Sequence, residues 1–205
     1  RMGTAHIHLA LAMLIVSLGV SGCGTLNSMV GGNSVQEART KIVWNYEKGS
    51  IVVLAEGQPT LNQVSGKSHT LAILIVQVND MNQLVKMNEN ENAIAGLLEG
   101  KLGSSVLAVN HFYLEPSCNK TYIADRAQNA KYVGVFAGYF DKPKEGFGKF
   151  YEIGTQVIKS GRVVKTYTVE PERLVLRIGF GSESITNSET LAADYKFETK
   201  DSCSH

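Results

Sequence analysis

Apolar side chains recur at every second position over most of this chain, the pattern of strands that bury one face. Ile42, Trp44 and Tyr46 alternate through 41–46, and after a Lys48-Gly49 turn the run Ile51–Ala55 forms a short apolar strand. A polar loop over 56–68 leads to Thr70–Val78 (TLAILIVQV), which shares with Tyr132–Phe140 (YVGVFAGYF) an apolar character on both faces. Such strands lie centrally, covered from each side. Gly134 and Gly138 fall on one face of the second run, where the missing side chains admit a closely packed ring or backbone. Strand patterning continues through Val106–Leu114, Phe150–Ile158 and, past a Ser160-Gly161 turn, Val163–Val169. After a Glu170-Pro171 turn, Leu174, Leu176, Ile178 and Phe180 alternate with Val175, Arg177 and Gly179 in a half-buried strand.

The period changes once within this series. Ala93, Ile94, Leu97 and Leu98 share a helical face in the segment 88–99, and Asn88 with Glu91 has the spacing of a capping box, so one short helix is expected there. About eight short strands with turn signals between them, one helical insertion and no internal repeat predict an all-β protein, a β-sandwich with a shared core.

The N-terminus follows a different rule. Arg1 is the one formal charge in the first 22 residues, and an apolar run of about 14 residues from Ile7 to Val20 precedes Ser21-Gly22-Cys23. The run is short for a membrane-spanning helix and suits the core of a secretory signal. Val20-Ser21-Gly22-Cys23 reads as a lipobox: small residues admit the peptidase, and the Cys23 thiol takes a diacylglycerol thioether. An ordinary cleaved signal with an incidental cysteine, or a membrane helix, is the competing interpretation. Residue 24 is Gly, not the Asp associated with inner-membrane retention, so the expected location is the outer membrane, with the protein lipid-anchored and facing the periplasm. Two or three acyl chains, each buried methylene contributing about 0.8 kcal/mol, hold stably without any membrane-binding surface on the domain. The expected organisation is therefore a signal peptide over 1–22, lipidated Cys23 and a flexible Gly/Ser/Asn-rich tether over 23–40, and one domain over 41–205.

Composition narrows the function. Without Arg1 the basic and acidic residues balance at 19 each, and no basic stretch suggests nucleic acid. Cys118 and Cys203 remain after the lipobox cysteine, an even pair suited to a disulfide in an oxidising periplasm; two free thiols are the alternative. Such a bridge closes a loop worth roughly 4 kcal/mol by chain entropy. His69, His111 and His205 have no paired-ligand spacing, so no metal site and no cofactor is expected. There is no nucleophile elbow, phosphate loop or Cys-x-x-Cys, and Asn88–Asn92 lacks the glycine and closing glutamate of a calcium loop. Asn119-Lys120-Thr121 is a formal glycosylation sequon without expected meaning in a bacterial lipoprotein. Enzymatic chemistry is not expected.

An ordered series of short matches over 57–140 resembles the outer-membrane lipoproteins of type VI secretion, the TssJ/VasD family. It comprises Leu61-Asn62, Ile75-Val76-Gln77-Val78, Leu102-Gly103, Val106-Leu107, Leu114-Glu115-Pro116 and the decapeptide Ala130–Tyr139 (AKYVGVFAGY). Pro116-Ser117 stands where the family commonly has Pro-Gly, and a Trp-Arg pair common after the next turn is replaced by Phe150-Tyr151-Glu152. The resemblance implies a transthyretin-like sandwich with a helical addition and an extended loop between its first two strands. It further implies that this loop, here Gln58, Pro59, Thr60, Leu61, Asn62, Gln63 and Val64, docks on the periplasmic domain of an inner-membrane core subunit, TssM. Leu61 and Val64 are apolar residues in a polar loop and suit interface anchors, although Leu61 can equally tuck back into the sandwich. A second function of another kind is a small-ligand or carbohydrate-binding lipoprotein with an aromatic pocket formed by Trp44, Tyr139 and Tyr151. A filled sandwich with a projecting first loop distinguishes the former from a deep aromatic cleft.

Overall fold

A computed structural model describes residues 27–101, 103–199 and 201–203. The segment expected as signal peptide, the expected lipobox with Cys23, Leu102 of the Leu102-Gly103 match, and His205 lie outside the described residues. The chain divides into two compact units, the larger over 43–156 and 171–205, the smaller over residues up to 42 and 157–170. The stretch expected as one domain thus contributes to both.

In the larger unit the strands build two four-stranded sheets. The first has the order β10-β9-β1-β4, from β1 (Glu47–Gly57), β4 (Asn119–Arg126), β9 (Leu174–Phe180) and β10 (Ile185–Leu191). The second has the order β3-β2-β5-β6, from β2 (Leu71–Val78), β3 (Val106–Leu114), β5 (Tyr132–Ala137) and β6 (Gly148–Glu152). All neighbours are antiparallel except β1 with β9, which run parallel. The connections β1–β2, β3–β4, β5–β6 and β9–β10 therefore all fall at one end of the sandwich.

Side-chain alternation explains the layers. Ile73 and Ile75 of β2 pack with Val133 and Val135 of β5 and with Ile51, Val53, Leu176 and Ile178 of the first sheet in the main core. The opposite face of β2, Leu74, Val76 and Val78, packs with Phe136 against Leu84 of helix α2 (Met81–Glu89) and Ile94 and Leu97 of α3 (Glu91–Leu98). The central strands β2 and β5 are thus buried on both faces, which is why TLAILIVQV and YVGVFAGYF carry no polar face. Each such Leu or Ile removed from water contributes about 1.5–3 kcal/mol. Gly134 lies on the helix side, where a Cβ would stand 2.8 Å from Leu84 Cδ2 and 2.7 Å from Phe136 Cε2.

Several boundaries differ from the sequence expectation. The described residues hold ten strands rather than about eight: β4 and β10 are additional, and the run Phe150–Ile158 is broken at Ile153-Gly154 into β6 and β7 (Thr155–Ser160). Both extra strands are rich in polar residues because they lie at the margins of the first sheet, where β4 is partly exposed and β10 is exposed along most of its length. Lys41–Tyr46 is not a strand; β1 starts at Glu47 and runs through the expected Lys48-Gly49 turn as a bulge, with Gly49 at φ +64°. The Asp125 carboxylate accepts hydrogen bonds from the Tyr46 hydroxyl and, at 2.8 Å, from the Gly49 N–H, and both hold it below the usual carboxylate range. The single expected helix is two. Asn90 caps α3, its side chain accepting from Asn92 N–H at 3.0 Å, while Asn88 belongs to α2 and is not the cap.

Two buried polar residues close the end of the sandwich opposite those connections. Gln77, fully buried on β2, accepts from Ala127 N–H and donates to Asp125 C=O, each at 2.8 Å, so one amide joins the second sheet to the end of β4. Arg126, 2% exposed, pairs with Glu47 at 2.8 Å and donates to Asn45 C=O at 3.2 and 3.3 Å. The C-terminal tail then returns across the first sheet. Arg173 donates to the carbonyls of Ala193 and Tyr195, both at 2.8 Å, and Cys118 is bridged to Cys203 with their Cα atoms 4.8 Å apart.

In the smaller unit β7 pairs with β8 (Thr166–Pro171) as a two-stranded hairpin. Helix α1 (Val35–Thr40) lies within the segment expected as a flexible tether. Its capping box is complete: Ser34 Oγ accepts from Glu37 N–H at 3.1 Å and Glu37 Oε2 accepts from Ser34 N–H at 2.7 Å.

Replacing Gln77 with Leu keeps the volume and strands a donor and an acceptor, so it should cost about 1–3 kcal/mol, read as a fall of several degrees in the thermal midpoint. Peptide mapping without reductant should recover Cys118 and Cys203 in one cross-linked product. The Cys118→Ser/Cys203→Ser variant should lose about 2–5 kcal/mol in denaturant titration; two alkylatable thiols in the native protein would refute the bridge.

Candidate functional site

The loop end of the sandwich gathers the segments 58–70, 115–118, 138–147 and 181–184, and the first of these carries the residues expected to bind a partner. β1 ends at Gly57, whose N–H donates to Cys118 C=O at 2.7 Å. A Cβ there would stand 2.7 Å from Glu115 C=O, so only glycine lets the two turns touch. Gln58 N–H donates to Phe180 C=O at 2.9 Å, and Leu61 N–H closes a turn onto Gln58 C=O at 3.0 Å.

Leu61 then enters the main core and is fully buried. Of its two expected roles, exposed anchor or core residue, the structure has the second: an apolar side chain at the mouth of a sandwich gains more from the core than from water. Asn62, 4% exposed, follows at φ 47°, a left-handed conformation that asparagine tolerates better than most residues. Its N–H donates to Gly181 C=O at 3.1 Å and its Nδ2 to Thr70 C=O at 3.1 Å, while its Oδ1 accepts from Phe140 N–H at 3.1 Å. One residue thereby joins the first loop to the 138–147 and 181–184 loops. Gln63 N–H adds a bond to Ser182 C=O at 2.9 Å.

Beyond Asn62 the chain makes a two-residue reversal. Val64 and Lys67 exchange backbone hydrogen bonds of 2.9 and 3.0 Å around Ser65 and Gly66, both with positive φ, the geometry that a tight hairpin turn requires. His69 N–H returns to Leu61 C=O at 3.0 Å and Ser68 Oγ donates to Pro59 C=O at 2.7 Å. The loop is therefore folded back on itself and on its neighbours, not extended away from the sandwich.

Its outer surface is small and specific. Gln58, Pro59 and Thr60 are exposed, Gln63 and Val64 half-buried. Beside them Phe140 is 63% exposed, its ring edge-to-face with His69 at 5.3 Å between centroids. Sequence reasoning missed Phe140 by placing it at the end of a central strand, whereas β5 stops at Ala137 and the following turn brings Phe140 to the surface. An exposed aromatic beside rigid backbone suits protein recognition.

The other candidates do not form a reactive centre. Tyr139 is 6% exposed, and Trp44 and Tyr151 are half-buried against the same main core, so the three build packing, not a cleft. Burial raises the Tyr139 and Tyr151 phenols above their ordinary range, so both stay protonated. Among the described residues Cys118, Asp201 and Cys203 are a close group of possible metal ligands, and the bridge occupies both sulfurs. Asn88 serves structure: Oδ1 accepts from Gly148 N–H at 2.9 Å and Nδ2 donates to Glu145 C=O at 3.4 Å.

No curated protein sequence matches the chain significantly. The crystal structure of the type VI secretion lipoprotein TssJ1 from Pseudomonas aeruginosa superposes with a TM-score of 0.51 at 15% identity, over 72% of this chain and 97% of that one. Lip from Serratia marcescens, described as a membrane-bound component of the type VI secretion system, superposes with a TM-score of 0.49 at 14% identity, over 69% of this chain and 96% of that one. Residues 50–173, more than half of the sequence, match the family model of the type VI secretion lipoproteins (VasD, EvfM, TssJ), and the chain belongs to that family.

Proposed function

We propose that this chain is the structural lipoprotein subunit of a type VI secretion membrane complex, fixed to the outer membrane by acyl chains on Cys23. Its loop end binds the periplasmic domain of a TssM-like inner-membrane core subunit. The contact surface is the exposed part of the first loop, Gln58, Pro59, Thr60, Gln63 and Val64, with Leu61 and Asn62 holding it from beneath and Phe140 extending it. The observation that carries this reading is family membership together with a loop end built for display: the backbone is pinned at Asn62 and an aromatic ring is left exposed. A loop held rigid before binding loses less conformational entropy on docking than a mobile one. The family is one of structural secretion lipoproteins, and the residues gathered here suit binding rather than covalent chemistry.

Binding of the purified protein to the partner's periplasmic domain, measured by calorimetry, tests the surface. Val64→Asp and Phe140→Asp should each weaken it about tenfold or more, with an unchanged circular dichroism spectrum; wild-type affinity in the double variant would remove the assignment. Leu61→Asp should behave differently, because it buries a charge in the core, and lose the cooperative thermal transition altogether. Cys23→Ser should leave partner affinity intact, release the protein from the membrane fraction and abolish secretion; full secretion by the unanchored variant would contradict the anchoring role.

A further inference from the structure

We infer that the hairpin β7–β8, with the N-terminal segment stapled to it, is a membrane-contact element that seats on the anionic headgroup surface around the lipid anchor. The inference rests on lipidation of Cys23, and it departs from the expectation that the acyl chains need no help from the protein surface.

The staple comes first. In a two-stranded hairpin, alternate residues of each strand turn their backbone groups away from the partner strand. On β8 and its lead-in these are Lys165 and Tyr167, and two asparagine side chains satisfy both. Asn27 Oδ1 accepts from Lys165 N–H at 2.9 Å and its Nδ2 donates to Lys165 C=O at 2.8 Å. Asn33 Oδ1 accepts from Tyr167 N–H at 2.6 Å and its Nδ2 donates to Tyr167 C=O at 2.8 Å. The segment leaving Cys23 is therefore fastened to the hairpin from Asn27 onward. Four residues reach at most about 14 Å, so the anchored cysteine sulfur cannot lie far from the hairpin turn.

What the hairpin presents there suits a bilayer surface. Val163, in the turn, is 92% exposed, and Met29 and Val30, in the segment between the two asparagines, are 83% and 63% exposed. Large apolar side chains left this bare are poorly accounted for in water, and they are close in sequence to the staple. Lys159, Arg162 and Lys165 are all exposed, and no acidic residue occurs between Glu152 and Glu170. Apolar side chains interspersed with basic ones match an interface where headgroup phosphates meet acyl carbons. Acidic protein partners would answer the charges but leave Val163, Met29 and Val30 without a reason.

The test uses the lipidated full-length protein, purified from membranes and reconstituted in nanodiscs of phosphatidylethanolamine and phosphatidylglycerol at about 3:1. A fluorophore is placed on V163C, and a control fluorophore on E99C; lipid-borne nitroxide is compared with an aqueous quencher. The Val163 probe should be quenched by the lipid-borne nitroxide at least about twofold more than the control and shielded from the aqueous quencher. The K159E/R162E/K165E variant, or a neutral phosphatidylcholine disc, should reverse this, each basic residue changing the seated population about fivefold. Equal aqueous quenching of both probes in anionic discs would overturn the proposal while leaving the anchor reading intact. Mass spectrometry of the same preparation separates the two: no acyl mass on Cys23 would overturn the anchor reading, and this inference with it.

Discussion

The architecture of the loop end depends on how the chain passes from one sheet to the other immediately after β1. The first sheet ends at Gly57 and the second begins at Leu71, so the intervening segment has to cross the mouth of the sandwich without opening the core to water. Leu61 supplies the plug and Asn62 the fastening, and neither works alone. Leu61 removes apolar surface from water but imposes a buried backbone beside it, and buried peptide groups require partners. Asn62 meets that requirement for three segments at once, through Gly181, Thr70 and Phe140. The surface available to a partner is what remains after that solution, which is why the candidate site is compact and rigid.

The layers were legible in the sequence because they follow from period alone. Strands apolar on both faces had to be covered twice, and the helices do cover them, with Leu84, Ile94 and Leu97 on Leu74, Val76 and Phe136. The lost elements failed for an equally physical reason. β4 and β10 alternate weakly because their polar residues face solvent, and a Lys-Gly pair that signals a turn also makes a bulge when the flanking residues stay paired. For the site, the segment was legible and the orientation was not. Leu61 and Val64 look alike as apolar residues in a polar loop, and only the tertiary path decides that one faces the core.

Amide side chains supplied the least legible part of the structure. Asn27, Asn33, Gln77 and Asn88 each accept from one backbone N–H and donate to a backbone carbonyl, in the manner of a missing strand neighbour. Read along the chain, asparagine means a turn, a cap or a flexible stalk, because its short amide competes with local backbone bonding. Here the same competition is directed at distant backbone: Asn27 at Lys165, Gln77 at Asp125 and Ala127, Asn88 at Glu145 and Gly148.

That use of amides also explains a segment expected to be loose. A Gly/Ser/Asn-rich stretch with no hydrophobic period has nothing to bury, and by composition it belongs among flexible linkers. Order can come instead from hydrogen bonds to an unpaired strand edge, where each bidentate amide satisfies two backbone groups that otherwise face solvent or another chain. Edge strands left bare invite unwanted pairing. Asn27 and Asn33 cover the free edge of the hairpin at Lys165 and Tyr167, and in doing so they fix the course of the chain from Asn27 onward. The part of that segment from Asn27 onward therefore behaves as an added edge partner of the hairpin rather than as the loose linker its composition suggests.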